Sequence, residues 1–160
     1  MSGKIVKLSM PNPLAKLLAT FFYVGDFPFA AGSLASLVGG LIAIVLYSNI
    51  PAYLVCFLVV TVFGFLSSGI TERAVGQKDP SCIVIDEVSG ALIAFFMLPL
   101  TWPVLITTYF LFRAFDMFKI FPANKFEQCP GSVGVMMDDI IAGIYTNIVM
   151  QLAIRLIVKI

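Results

Sequence analysis

The sequence predicts an all-α fold, a small polytopic membrane helix bundle of about four to five spanning helices with an N-terminal interfacial helix. Three observations carry this expectation. Of the 160 residues, 60% are hydrophobic and only 12% charged, with a mean hydropathy of +1.02, well outside the range of soluble globular domains. Apolar runs near the roughly 17 to 25 residues of a helical crossing recur along the chain. The basic residues, finally, gather in alternate connections.

Asn12 opens the first element, an interfacial helix over 12–24 with Asn12 as cap, Pro13 in the first turn and Phe21, Phe22 and Tyr23 facing lipid. Spans follow at about 31–48, 52–70, 84–98, 102–118 and 139–158, the third short for a full crossing. Gly32, Ser36 and Gly40 form one row on the first span, a spacing that lets helices pack closely. All of 1–160 reads as one membrane-embedded domain.

The connections Tyr47–Pro51 and Leu98–Pro103 carry no charge. Lys4, Lys7, Lys16, Arg73, Lys78, Arg113, Lys119 and Lys125 fall on the opposite side, which the positive-inside rule makes cytoplasmic; only Arg155 and Lys159 fall outside. With a net charge of +1 and scattered basic residues there is no nucleic-acid footprint. The surface this chain meets is lipid. Histidine is absent, and Cys56, Cys82 and Cys129 lack Cys-x-x-Cys spacing, which excludes zinc and histidine-based catalysis. Cys129 lies in a Cys-Pro-Gly loop without the arginine, five residues later, that cradles phosphate in Cys-dependent phosphatases. The first apolar run, broken by Lys16 and Asp26, lacks the layout of a cleavable signal peptide.

Acids carry the chemistry. Five of the nine stand in three nearly uncharged blocks: Asp86 and Glu87 in IVIDEVSG, Asp116 in FRAFDMFK, Asp138 and Asp139 in GVMMDDIIAG. A carboxylate near hydrocarbon is costly unless it has a partner, so each block is a functional candidate. In the alternating topology these acids open the third span, close the fourth and open the fifth, so they converge at the cytoplasmic end. A hard cation such as Mg²⁺, which takes carboxylate, water and phosphate oxygens, is the fitting partner. Adjacent helical residues point about 100° apart, so one member of each pair ligates and the other binds water or a cation such as Lys119.

Arg113 and Lys119 flank Asp116 at three residues on either side, one face of a helix, and read as a phosphate clamp. Gly131 and Gly134 allow close backbone approach ahead of the Asp138–Asp139 helix, whose first N–H groups suit a phosphate oxygen. The Ser33 hydroxyl is a further candidate for substrate contact. The helix dipole explains one acid at a helix start, but two pairs plus Asp116 exceed it. A small cation transporter or channel is the alternative use of these carboxylates, and it places them at mid-membrane depth.

Four blocks recur in the order Gly32-Ser-Leu-Ala-Ser36, Ile83-Val-Ile-Asp-Glu87 with Gly90, Phe112-Arg-Ala-Phe-Asp-Met-Phe-Lys119 with Pro122, and Gly131 with Gly134-Val-Met-Met-Asp-Asp-Ile-Ile-Ala-Gly143. Together they closely resemble the phosphatidylglycerophosphatase A family over about residues 14–150. The resemblance implies a Mg²⁺-dependent phosphatase of the bacterial inner membrane that converts the phospholipid phosphatidylglycerophosphate into phosphatidylglycerol. Three departures from the family pattern stand out: Pro28-Phe29-Ala30 where Pro-Gly-Thr is usual, Lys119-Ile120 for Lys-Pro, and Gly131-Ser132 for Gly-Gly. None removes an acid. The long aspartate run of CDP-alcohol phosphotransferases is missing.

Overall fold

Small residues decide how close the helices come. The computed structural model describes residues 12–126 and 128–158, so Lys4, Lys7, Glu127 and Lys159 lie outside it. Among the described residues every regular element is helical: α1 Pro13–Ala19, a 3-10 turn at Val24–Asp26, α2 Ala31–Leu46, α3 Ile50–Val75, α4 Ile85–Phe95, α5 Trp102–Phe118, the one-turn α6 Ala123–Phe126 and α7 Ser132–Val158. The all-α expectation holds. Central α4 is buried along nearly its whole length. Against it, α2 seats through Gly39, where a Cβ would fall 2.7 Å from the Ala91 Cβ, and α7 through Gly143, where a Cβ would fall 2.3 Å from the Gly90 carbonyl oxygen. The row of small residues on α2 therefore serves packing, with Gly40 on the Phe95 ring and the Ser36 hydroxyl donating to the Gly32 carbonyl at 2.8 Å.

These contacts also fix directions. Gly90 meets Gly143 and Ala94 meets Asn147, so α4 and α7 run parallel; α2 shares their sense, since Gly32 meets Glu87 and Gly40 meets Phe95. Helix α3 runs the other way, with Tyr53 at Leu92 and Gly64 near Ile85, and so does α5, with Tyr109 at Ser33 and Arg113 near Gly32. The starts of α2, α4 and α7 thus face the C-terminal half of α3 and the C-terminus of α5.

Among the described residues, two helices are long and apolar enough to cross a membrane, Ile50–Val75 and Ser132–Ile157. The expected four to five spans are corrected to that extent. Helices α2, α4 and α5 have 16, 11 and 17 residues, about 24, 16 and 25 Å against a hydrocarbon core of roughly 30 Å. Helix α2 gives way before Asn49, whose side chain caps α3, and α4 stops where Phe96 turns extended and Met97 takes φ 54° ahead of Pro99. This broken end is satisfied by other helices. Tyr53 donates to the Leu92 carbonyl at 2.5 Å, Asn147 to the carbonyls of Ala94 and Phe96 at 3.1 and 2.8 Å, and Gln151 to that of Met97 at 3.3 Å. Non-helical backbone in an apolar environment requires such partners.

Around this interior the surface is apolar at helical steps. Leu37, Leu41 and Val45 on α2, Leu58, Val62 and Leu66 on α3, and Ile144, Ile148, Leu152 and Leu156 on α7 are exposed, while Ser36, Ser67, Ser68, Ser89, Thr108 and Thr146 are buried. Large apolar residues outside and small polar ones inside suit a protein surrounded by lipid.

Both ends of the expected layout shift. Asn12 does cap α1, its Oδ1 accepting from the N–H groups of Leu14 and Ala15, but the helix ends at Ala19 rather than near 24, because Phe21, Phe22 and Tyr23 all take positive φ. Ala15 and Ala19 are buried and Thr71 of α3 donates to the Ala15 carbonyl at 3.4 Å, so α1 docks on α3 while Phe22 and Tyr23 stay exposed. Helix α7 starts at Ser132, ahead of the expected 139. Gly131 turns the chain at φ 71°, and the Ser132 hydroxyl accepts the Gly69 N–H at 2.9 Å. Asp138 and Asp139 consequently lie about two turns inside the helix rather than opening it.

Candidate active site

Where α4 begins, three carboxylates converge. Asp86 and Glu87 occupy its first turn, and the parallel α7 delivers Asp139 to the same place. One oxygen from each lies within 4.8 Å of the others. The close α4–α7 approach depends on Gly90, since a Cβ there would fall 2.6 Å from the Asp139 carbonyl oxygen and 2.8 Å from the Phe112 ring. Gly32, at the start of α2, covers Glu87: a Cβ would lie 2.2 Å from Glu87 Oε1 and 3.6 Å from an Arg113 guanidinium nitrogen.

Burial makes this cluster unusual. Asp86 is 5% exposed and Asp139 3%. Asp86 Oδ1, Glu87 Oε2 and Asp139 Oδ1 are buried and have no hydrogen-bond partner. Carboxylate oxygens in this state are strongly disfavoured unless a cation or proton neutralises them. Three hard oxygen donors at this spacing fit a divalent metal such as Mg²⁺. The α4 dipole favours Asp86 and Glu87 in its first turn. No such help reaches Asp138 and Asp139, because the first turn of α7 carries no acid.

Two ion pairs border the cluster. Arg113 binds Asp116 on the last turns of α5, and Asp116 is near enough to act electrostatically on both Glu87 and Asp139. Lys119, the C-cap of α5, donates to Asp138 Oδ2 at 2.9 Å, while Asp138 Oδ1 accepts the Asp139 N–H at 3.1 Å. Within the adjacent pair on α7, Asp139 joins the three-carboxylate group and Asp138 holds the lysine. The site therefore offers a buried anionic centre with a guanidinium and an ammonium at its border.

This arrangement coincides with a family match: the model described as phosphatidylglycerophosphatase A covers residues 17–154. The chain belongs to the phosphatidylglycerophosphatase A family. It is 35% identical to the phosphatidylglycerophosphatase A of Haemophilus influenzae, over 92% of this chain and 93% of that protein. With the phosphatidylglycerophosphatase A of Escherichia coli it shares 32% identity, over 86% of this chain and 81% of that protein. A Bacteroides thetaiotaomicron protein provisionally named a phosphatidylinositol-3-phosphatase is 36% identical, over 91% and 97% of the two chains. No solved structure gives a significant match.

Other residues singled out by the family blocks have backbone partners of their own. Gly134 and Val135 both donate their N–H groups to the Gly131 carbonyl, at 3.0 and 3.4 Å, so these amides are engaged within the first turn of α7. Gly134 stands about one turn, roughly 6 Å of helix rise, ahead of Asp138, and Gly131 about two turns. Ser33 contributes its carbonyl to the Tyr109 hydroxyl at 3.1 Å, which ties the start of α2 to α5 beside Gly32. Asn147 and Gln151 escaped the sequence reading although their polar side chains, four apart in an apolar run, were a legible signal. They hold the far end of α4, the helix that presents Asp86 and Glu87.

Proposed function

We propose that the chain is a Mg²⁺-dependent hydrolase that removes the terminal phosphomonoester of phosphatidylglycerophosphate, yielding phosphatidylglycerol and inorganic phosphate. The observation that carries this reading is the triplet Asp86, Glu87 and Asp139, each with a buried carboxylate oxygen lacking a donor, beside Arg113 and Lys119. These three acids hold the metal. When bound, Mg²⁺ neutralises phosphoryl charge and makes a coordinated water more acidic.

The remaining steps belong to the side chains. Arg113 and Lys119 bind phosphate oxygens, and Asp116 and Asp138 hold those cations at the border of the site. A carboxylate of the cluster orients the attacking water and takes its proton. As water adds to phosphorus the ester P–O bond breaks, and the departing glycerol oxygen is protonated. No histidine or thiol is needed.

The apolar exterior and the alternating helix directions support a multi-pass protein of the bacterial inner membrane. Arg73, Lys78, Arg113, Lys119 and Lys125 then mark the carboxylate end as cytoplasmic, with Arg155 at the far end of α7. The family is named for a phosphatase, and this favours hydrolysis over cation transport.

The deciding experiment measures inorganic phosphate released from phosphatidylglycerophosphate in detergent micelles, with Mg²⁺, with EDTA and with Asp139→Asn. Release that requires Mg²⁺ and disappears in the variant is the expected result. Phosphatidylinositol-3-phosphate, run in parallel, tests the headgroup suggested by the Bacteroides relative. Ion flux into proteoliposomes without phosphate release would overturn the reading in favour of transport.

A further inference from the structure

We infer that Asp79 is a placeholder for the substrate phosphate, a positioning residue that acts through Lys119; this rests on the phosphatase reading above. Among the described residues, Lys119 Nζ faces the carboxylates of Asp138 and Asp79 unequally. Asp138 Oδ2 is at 2.9 Å and Asp79 Oδ2 at 3.8 Å, and their side chains are 6% and 39% exposed. The first is a buried hydrogen-bonded ion pair. The second exceeds hydrogen-bond length and faces solvent, where ion pairs are weak and readily exchanged.

The backbone is bent at both partners to bring them together. Asp79 has φ 45° and Lys119 φ 43°, left-handed values that residues other than glycine seldom adopt and that cluster where function demands them. The Asp79 N–H donates to Glu72 Oε1 at 3.3 Å, which anchors this loop to the last turns of α3. Asp79 also acts electrostatically on Asp86 and Asp138, so its charge lies within the field of the site. An ammonium has three donors to share. A phosphomonoester dianion arriving at the carboxylate cluster meets Lys119 already fixed by Asp138, with its outer position lent to an exposed carboxylate. The substrate replaces Asp79 there, and the loop carrying Asp79 swings off the mouth of the site.

Asp79→Asn removes the charge and keeps a residue type that tolerates the left-handed backbone; Asp79→Gly is the second variant, tolerating it better still. Both should lower KM for the lipid about two- to fivefold, with the effect on KM rather than kcat and shrinking as salt is raised. In a Lys119→Gln background Asp79→Asn should change nothing further. An unchanged or raised KM, or an effect that persists without Lys119, overturns the proposal. Thermal unfolding in detergent with inorganic phosphate supplies a readout independent of turnover. A larger phosphate-induced shift in Asp79→Asn than in the wild type is expected, and an equal or smaller one also overturns it. If the wild type releases no phosphate from any lipid, the phosphatase reading fails by itself, and the phosphate shift still decides whether Asp79 competes with an anion.

Discussion

Gly32 and Glu87 are in direct contact across the α2–α4 interface, so close that a Cβ on Gly32 would lie 2.2 Å from Glu87 Oε1. The colliding atom is the far end of a flexible side chain, whereas backbone would have nowhere to go. Gly32→Ala therefore displaces the carboxylate and leaves the helices in place. Alanine also favours helix by up to about 1 kcal/mol over glycine. The expected variant unfolds at or near the wild-type temperature, yet its turnover falls on the order of a hundredfold, because an ångström of misplacement in a catalytic group has that effect. A Gly32→Ala protein with wild-type kcat would mean that Glu87 has no part in the chemistry.

Asp86→Asn, Asp116→Asn and Asp139→Asn, made singly, should each abolish measurable phosphate release while the protein stays folded. The first and third carry a second expectation of opposite sign. Removing one charge from a crowded, buried carboxylate triplet relieves repulsion and desolvation. In EDTA these two variants should melt at the wild-type temperature or above it. Melting well below it would identify the carboxylates as structural, and activity retained in all three would remove them from the site.

That the acids converge was legible in the sequence; how each one points was not. Alternation of charged and uncharged connections is enough to bring Asp86, Glu87, Asp116, Asp138 and Asp139 toward one another, and the helix directions agree. The division of labour between Asp138 and Asp139 depends on the rotation of α7 about its axis. That rotation is set by the Gly90–Gly143 contact, a tertiary fact with no periodic signature. Span lengths failed for a related reason. Phe96, Met97 and Leu98 continue the apolar run of α4, but the backbone has already left the helix at Phe96. Hydropathy registers the side chains and is blind to that turn.

Mg²⁺ should raise the unfolding temperature in detergent, since a ligand bound by the folded state alone stabilises it by about 2.7 kcal/mol at a hundredfold excess over Kd. Three buried carboxylate oxygens without donors make the effect specific to this cluster. Glu87→Gln should reduce the Mg²⁺-dependent rise while leaving the EDTA melting temperature intact or higher. A rise of equal size in wild type and variant would move the metal away from Glu87.

Asn147→Leu tests the opposite end of α4 and should give the reverse phenotype of Gly32→Ala. Its side-chain amide donates to the carbonyls of Ala94 and Phe96, at 3.1 and 2.8 Å, where the helix breaks. Leucine has a similar volume and no donor, so both carbonyls lose a partner in an apolar setting, at about 1–3 kcal/mol for each buried group left unsatisfied. The melting temperature should fall by several degrees. Eight residues of α4, about 12 Å of helix, separate Ala94 from Asp86, so kcat measured well below the transition should change less than severalfold. An unchanged melting temperature would show that the carbonyls at the break find other partners. A kcat loss matching that of Gly32→Ala would instead mean that α4 shifts as a rigid rod, carrying Asp86 and Glu87 with it.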